Sequence, residues 1–137
     1  MLRIPILLLW LALAIGCANE PPLPVAPSPD AFVPYKKFLA YNQENISRLQ
    51  LGMTRAQVID LMKNYTSKVG SGPLSNPYRS NMFIRNQDSV EVMYYLTQPY
   101  RRFTPIRDSQ ATPVVLTNGV AVGWGQSALA VLGVTQP

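Results

Sequence analysis

Few of the side chains that enzymes use for acid–base or nucleophilic chemistry occur in this chain. It has no histidine, and its one cysteine is Cys17. These counts exclude a Ser-His-Asp or Cys-His arrangement and a conventional zinc site in the folded region. Ser67 and Lys68 are a nucleophile and a base at close spacing, but adjacent side chains point in different directions along most backbones.

The carboxylates are also spread thinly. The folded region carries five, scattered singly along the sequence: Glu44, Asp60, Asp88, Glu91 and Asp108. A paired-carboxylate site, a calcium loop and a phosphate-binding glycine loop are therefore not indicated. We interpret Asp88 as a turn residue and Glu91 as a solvated strand position. The sequence predicts a protein without catalytic activity, bound metal or cofactor.

Lipidation of Cys17 is the chemistry that the sequence does indicate. Arg3 precedes an apolar run that ends in the segment Leu13-Ala14-Ile15-Gly16-Cys17. A positive start, an apolar segment of roughly 7–15 residues and a small-residue cleavage site are typical of an export signal. A buried structural cysteine is disfavoured so close to the N-terminus. A membrane-spanning anchor needs about 20 apolar residues, and this run is shorter and contains Pro5.

The next segment is rich in proline. Six prolines lie between residues 18 and 35: Pro21, Pro22, Pro24, Pro27, Pro29 and Pro34. Extended polyproline chain rises about 3.1 Å per residue, so this segment reaches up to roughly 55 Å as a semi-rigid tether. Docking to a partner's aromatic groove is the alternative role. We predict a signal peptide at 1–16, the lipidated cysteine and tether at 17–35, a folded domain at 36–126 and a tail at 127–137.

The elements of the domain follow from hydrophobic periodicity. An amphipathic helix is predicted over 36–50, and Thr54 with Gln57 forms a capping box that starts a second helix. That helix carries an apolar stripe in which Met62 and Tyr65 are core residues, or alternatively line a ligand cavity. Glycines and prolines break any helix between residues 67 and 78.

Strands are predicted after this break, with the last two joined by an Asn118-Gly119 type I′ turn. Their predicted bounds are 81–85, 89–97, 114–117 and 120–124. The fold class is α+β, with two N-terminal helices packed on one side of a three- to four-stranded antiparallel sheet. The apolar run 128–134 is left open as an edge strand, a short helix or an exposed segment.

Arginines and aromatic residues meet in the loop between the long strand and the hairpin. The residues of this candidate binding surface are Tyr100, Arg101, Arg102, Phe103 and Arg107, with Arg79 and Arg85 as possible neighbours. Arginine beside aromatic rings suits recognition of phosphate or carboxylate groups. Candidate ligands are anionic lipid headgroups, lipopolysaccharide phosphates, peptidoglycan carboxylates or an acidic protein surface. A solvated loop without a ligand is the equally weighted alternative, and nucleic acid is not expected for an exported protein.

Several motifs resemble the SmpA/OmlA lipoproteins, also called the BamE-like family. Leu51-Gly52-Met53-Thr54 leading into an apolar helix is similar to the family's "G-M-T" signature. The segments 77–80, 90–95 and 112–125 are similar to a branch with a "T-P-V-F-x-N-G-x-x-V-G-W-G" hairpin. The resemblance covers roughly residues 50 to 125. It departs at Leu116-Thr117, where an aromatic residue is common, and at 127–137, which lacks an aromatic ending.

The resemblance implies a BamE-like two-layer domain at the periplasmic face of the outer membrane, without catalytic activity, acting in envelope assembly. Members bind partner proteins and anionic phospholipid. Ala18, which follows the lipidated Cys17, is not the aspartate associated with inner-membrane retention, so outer-membrane sorting is expected. We therefore expect a scaffold that binds envelope proteins. A module for anionic lipid or a small ligand, opening around Met62, Tyr65, Tyr94 and Trp124, is the alternative, and an enzyme inhibitor ranks last because only fold analogy favours it.

Overall fold

Two helices lead into antiparallel strands, as the sequence predicts, in a computed structural model that describes residues 31–69, 72–101 and 103–133. The helices and strands are α1 Tyr35–Ser47, α2 Arg55–Met62, β1 Thr66–Val69, β2 Gly72–Ser75, β3 Arg79–Arg85, β4 Asp88–Leu96, β5 Ala111–Thr117, β6 Val120–Trp124 and α3 Gln126–Val131. The α+β fold class is confirmed. The predicted signal peptide, Cys17, most of the tether, Arg102 and the last four residues lie outside the described residues.

The main sheet is a four-stranded antiparallel meander in the order β3-β4-β5-β6. The predicted Asn118-Gly119 turn is confirmed, with φ of 50° and 77°. Asn86 and Gln87 make the β3–β4 turn with φ of 49° and 71°. Two central residues with positive φ are what a two-residue type I′ hairpin requires.

A second hairpin, β1–β2, occupies the segment where the sequence predicted only the absence of helix. Each strand has four residues, and Pro73 lies in β2. The short strands and their proline hide the period-two pattern that longer strands display. The chain before α1 joins this hairpin: the Val33 N–H donates to the Thr66 carbonyl at 2.8 Å, and the Thr66 N–H donates to the Ala31 carbonyl at 3.3 Å. The ordered contacts thus begin ahead of residue 36.

Helices cover both faces of the main sheet. Residues of α2 and the α1–α2 connection pack with one face of β4, β5 and β6 in a cluster of Leu49, Val58, Met62, Met93, Tyr95, Val114, Leu116 and Ala121. On the opposite face Leu129 of α3 is buried against Val90, Val92, Tyr94, Ala111 and Val115. Gly123 permits this close packing, since a Cβ there would lie 3.1 Å from the Ala128 Cβ. Of the three alternatives for the C-terminal run, the short helix is the observed one.

The two edges of the main sheet differ. The outer edge of β6 is covered by residues 52–55, which lead into α2: the Gly52 N–H donates to the Ala121 carbonyl at 2.9 Å, and the Arg55 N–H donates to the Gly119 carbonyl at 2.8 Å. The predicted capping box is present here, because the Thr54 Oγ1 accepts from the Gln57 N–H and the Gln57 Oε1 accepts from the Thr54 N–H. The outer edge of β3 has no strand beside it within the described chain.

A buried pair of amides connects α1 to the rest of the domain. The Asn42 Nδ2 donates to the Leu96 carbonyl at 2.8 Å and to the Asn76 Oδ1 at 3.1 Å. The Asn76 Nδ2 donates in return to the Asn42 Oδ1 at 2.6 Å and to the Met62 carbonyl at 3.3 Å. Because buried amides need all of these partners, the pair fixes α1 against both the end of α2 and the end of β4.

Candidate binding surface

The candidate surface lies on the loop between β4 and β5, residues 97–110, which we call the arginine loop. Gln110 closes its base: its carbonyl accepts from the Thr97 and Gln98 N–H groups at 3.0 and 2.9 Å. Its side chain accepts from the Arg107 N–H at 2.8 Å and donates to the Pro99 carbonyl at 2.9 Å. One residue therefore holds both ends of the loop, a role that no local sequence motif indicated.

We expect Gln110→Ala to loosen the arginine loop without unfolding the domain. The alanine keeps the two backbone bonds but loses both side-chain bonds, each worth about 1 kcal/mol. Trypsin should then cut after the loop arginines about fivefold faster or more, since local opening governs cleavage of a native loop. The matched control is Ser109→Ala at the exposed neighbour. Equal cleavage rates for the two variants would show that Gln110 does not restrain the loop.

Arg101 and Arg107 are brought together. Both are exposed, and together they line an open concavity of about 610 Å³, whose other lining residues are Thr104, Pro105, Ser109 and Gln110. Neither guanidinium has an ion pair among the described residues, whose four salt bridges involve Arg48, Arg55, Lys63 and Arg79. Two arginines without acidic partners beside one concavity are able to bind an anionic group from a ligand or a protein.

The two aromatic residues of the surface have different roles. The Tyr100 N–H donates to the Tyr35 hydroxyl at 3.2 Å, and the two rings meet edge to face with centroids 5.8 Å apart. Burial raises the pKa of Tyr100, which agrees with a bracing contact to α1. Phe103 is 82% exposed and has a φ of 66°, an uncommon backbone conformation for a residue with a side chain. Phe103 is therefore the aromatic residue that the loop presents to solvent.

The two possible neighbouring arginines do not extend this surface. The Arg79 Nη2 donates to the Asp108 Oδ2 at 2.6 Å, and its guanidinium lies 4.4 Å from the centre of the Tyr94 ring. Arg79 is thus engaged within the domain. Arg85 is at the other end of β3, opposite Asp88 at the start of β4, so the length of β4 separates it from the arginine loop.

The interpretation of Glu91 as a solvated residue is wrong. Glu91 is only 5% exposed, and its carboxylate accepts from the Arg55 Nε at 2.7 Å and from the Ser80 hydroxyl at 3.0 Å. The Arg55 hydrogen bond is the largest cause that lowers the pKa of Glu91; burial opposes it and the Ser80 bond adds to it. The sequence could not indicate this pair because α2 and β4 meet only in the folded chain.

The remaining candidates for chemistry are engaged or buried. The interpretation of Asp88 as a turn residue is wrong: Asp88 is the first residue of β4, after the turn residues Asn86 and Gln87, and its Oδ1 accepts from the Asn118 Nδ2 at 2.8 Å. Ser67 is fully buried, and its hydroxyl has no hydrogen-bond partner among the described residues, so a substrate cannot reach the hydroxyl of the Ser67-Lys68 pair. Within the described ranges, no group of three or more acidic or cysteine side chains is placed to hold a metal ion.

The residues of the alternative ligand cavity do not meet. Met62 and Trp124 pack in the core cluster under α2, Tyr65 packs in a second cluster against α1, and Tyr94 packs in the cluster on the opposite face of the sheet. Met62, Tyr65 and Tyr94 are all buried. These four residues therefore do not line one common cavity.

No helix in the described part of the chain is long and apolar enough to cross a membrane. Neither a comparison with curated proteins nor one with solved structures gave a match. A family model described as a protein of unknown function, DUF3192, matches residues 29–131, a range that includes the arginine loop and all helices and strands from α1 to α3. The chain belongs to the DUF3192 family.

Proposed function

We propose that this protein is a non-catalytic lipoprotein that acts as an accessory or scaffold in envelope assembly by binding other proteins. Lipid on Cys17 holds it at the periplasmic face of the outer membrane, and the proline-rich tether sets its distance from the membrane. The observation that carries the proposal is the arginine loop, in which Arg101, Phe103 and Arg107 are exposed on a base closed by Gln110.

A braced loop suits protein recognition because little conformational freedom is lost when a partner binds. Arginine and aromatic residues are also the types enriched at the energetic centres of protein interfaces. The division of Met62, Tyr65 and Tyr94 among separate clusters favours binding at the surface over binding in an internal cavity. The resemblance to SmpA/OmlA lipoproteins supports the same role, as part of the machinery that assembles outer-membrane proteins.

Binding of anionic lipid is the second candidate function. The specific observation in its favour is that Arg101 and Arg107 line one concavity and have no ion pair among the described residues. Two guanidinium groups in this arrangement suit a phosphate as well as a protein carboxylate. A scaffold should be recovered from the envelope together with partner proteins, whereas a lipid-binding module should be recovered together with anionic lipid.

The test is an affinity pull-down of the lipidated protein from crosslinked, detergent-solubilised envelopes. Arg101→Ala/Arg102→Ala/Arg107→Ala should reduce the recovery of barrel-assembly components by about tenfold, as expected for loss of an interface centre. The control, Lys36→Ala/Lys37→Ala/Lys68→Ala, removes the same charge outside the loop and should leave recovery unchanged. Recovery of anionic lipid without any protein partner would overturn the scaffold proposal and favour the second candidate.

A further inference from the structure

The open edge of β3 carries an exposed apolar stripe. Met82 and Ile84 are 67% and 71% exposed, and with Ser80 they alternate along the strand. On β4, Met93 lies opposite Ser80, Glu91 opposite Met82 and Ser89 opposite Ile84. Because cross-strand partners share a face, the stripe lies on the same face of the sheet that α2 covers over β4, β5 and β6.

The backbone groups of the same three residues point to the open edge. The Asn118 N–H donates to the Ser89 carbonyl at 2.7 Å, so odd-numbered residues of β4 bond β5. Since bonding directions alternate along an antiparallel strand, even-numbered residues of β4 bond β3. In the register that pairs Arg79 with Tyr94, odd-numbered residues of β3 lie opposite even-numbered residues of β4. The backbone N–H and carbonyl groups of those odd-numbered residues therefore face β4. Ser80, Met82 and Ile84 therefore direct their N–H and carbonyl groups away from the sheet.

An edge of this kind is a template for another strand, and proteins commonly cover or charge such edges. Here the β6 edge is covered by residues 52–55, whereas β3 has an arginine at each end and the exposed Met82 and Ile84 between them. Arg79 is already paired with Asp108. Arg85 is exposed and has no ion pair in the described chain, not even with its cross-strand neighbour Asp88, whose Oδ1 accepts from the Asn118 Nδ2. Arg85 is therefore the end of β3 whose charge is open to a partner.

Charge argues against a second copy of this chain as the partner. Two β3 strands that pair antiparallel and use all three outward-facing residues must be centred on Met82. That register places Arg79 of each copy opposite Arg85 of the other. Like charges directly opposite each other destabilise a strand pair, whereas an acidic residue opposite Arg85 stabilises it.

We infer that β3 accepts an extended strand of another protein, which pairs with it antiparallel. That strand has an acidic residue opposite Arg85. The next residue is apolar, and so is every second residue after it. The inference rests on the proposed protein-binding role and names the chemistry of the partner. Backbone hydrogen bonds to Ser80, Met82 and Ile84 supply affinity, and the side chains of Met82, Ile84 and Arg85 supply selectivity.

The probe is the fluorescently labelled peptide Glu-Val-Thr-Val-Thr-Val-Thr, and the control peptide has Lys in place of Glu. Their binding to the full chain in detergent is measured by fluorescence anisotropy. The Glu peptide should bind about tenfold more tightly than the Lys peptide, and Arg85→Glu should reverse this preference. Failure of both peptides to bind, or equal affinity for the two, would overturn the inference.

Two variants separate the backbone from the side chain at position 82. Met82→Pro and Met82→Ala both lose the methionine, but only proline removes the outward N–H, and an edge strand tolerates proline where its N–H faces solvent. Both should retain the circular dichroism of the folded protein. Met82→Pro should weaken peptide binding by at least about fivefold relative to Met82→Ala. Equal affinities would show that no strand pairs at this edge.

Amide hydrogen exchange locates the added strand. The amides of Ser80, Met82 and Ile84 should exchange rapidly in the free chain and slow by at least about tenfold with saturating Glu peptide, because bonded amides exchange only on opening. Protection already present in the free chain would mean that a second copy or the chain's own N-terminal residues cover the edge, and would overturn the inference.

If the peptide fails to bind while the arginine loop still crosslinks envelope proteins, the inference alone fails. If the peptide binds and the pull-down recovers no protein, the scaffold proposal fails.

Discussion

Asn42→Ala is expected to lower the free energy of unfolding by about 3 kcal/mol, the largest effect we predict for a polar residue in this domain. The Asn42 side chain is fully buried and bonds to both Asn76 and the Leu96 carbonyl. Alanine leaves the Asn76 amide and that carbonyl buried with fewer partners, and each unsatisfied group costs about 1–3 kcal/mol. Urea unfolding should show a lower midpoint with an unchanged slope.

Gln43→Ala is the matched control for this prediction. Gln43 is the next residue on α1, is exposed, and makes one side-chain bond, to the Thr97 carbonyl at 2.7 Å. Its loss should cost about 1 kcal/mol or less. If the two variants have similar midpoints, the buried amide pair does not contribute more than an ordinary hydrogen bond at the surface of the helix.

Arg55→Met is expected to destabilise the domain by about 2 kcal/mol at neutral pH. The substitution removes the cation bonded to Glu91, and hydrogen bonds to charged groups contribute about 1.5–3 kcal/mol. Because the Arg55 side chain is 51% exposed, the loss should be smaller than for a fully buried ion pair. Adding Glu91→Gln should restore part of the stability, since the double variant no longer buries an unpaired carboxylate.

The pH dependence has a defined sign. The hydrogen bond from Arg55 lowers the pKa of Glu91 below its ordinary value of 4.5. The stabilisation that this ion pair gives the folded state is therefore fully present above the pKa of Glu91 in the unfolded chain. It is lost as the pH falls through the lower pKa of the folded state. The stability difference between wild type and Arg55→Met, measured by urea unfolding, should therefore narrow below about pH 4.5. A difference that stays constant down to pH 2 would exclude Glu91 as the titrating group.

Local signals in the sequence predicted local structure well. The Thr54 capping box, the Asn118-Gly119 turn and the strand β6 are governed by neighbouring residues, and each was predicted at the observed positions. The sequence did not decide the structure of the α3 segment, because only one residue of this helix, Leu129, is buried against the sheet. Six residues are too few to establish a periodic pattern.

The candidate surface was predicted only in part, because sequence does not distinguish engaged arginines from free ones. Arg79, Arg101 and Arg107 look alike as residue types, yet only Arg79 reaches an acidic partner in the fold. Arg101 and Arg107 line one concavity because Gln110 closes the loop between them. The strand that carries Met82 and Ile84 was predicted, but whether a helix covers these side chains depends on the tertiary packing.

The attachment of the N-terminal segment determines how the domain bears mechanical load. Val33 and Ala31 are bonded to Thr66 in β1, and α1 begins immediately afterwards. Tension applied to the chain before Ala31 therefore reaches the β1 hairpin and α1 first. The hydrogen bonds of the main sheet lie further along the chain and carry the load only after those contacts yield. Separation of the small hairpin from the N-terminal segment therefore precedes any rupture of the four-stranded sheet or its open edge under tension.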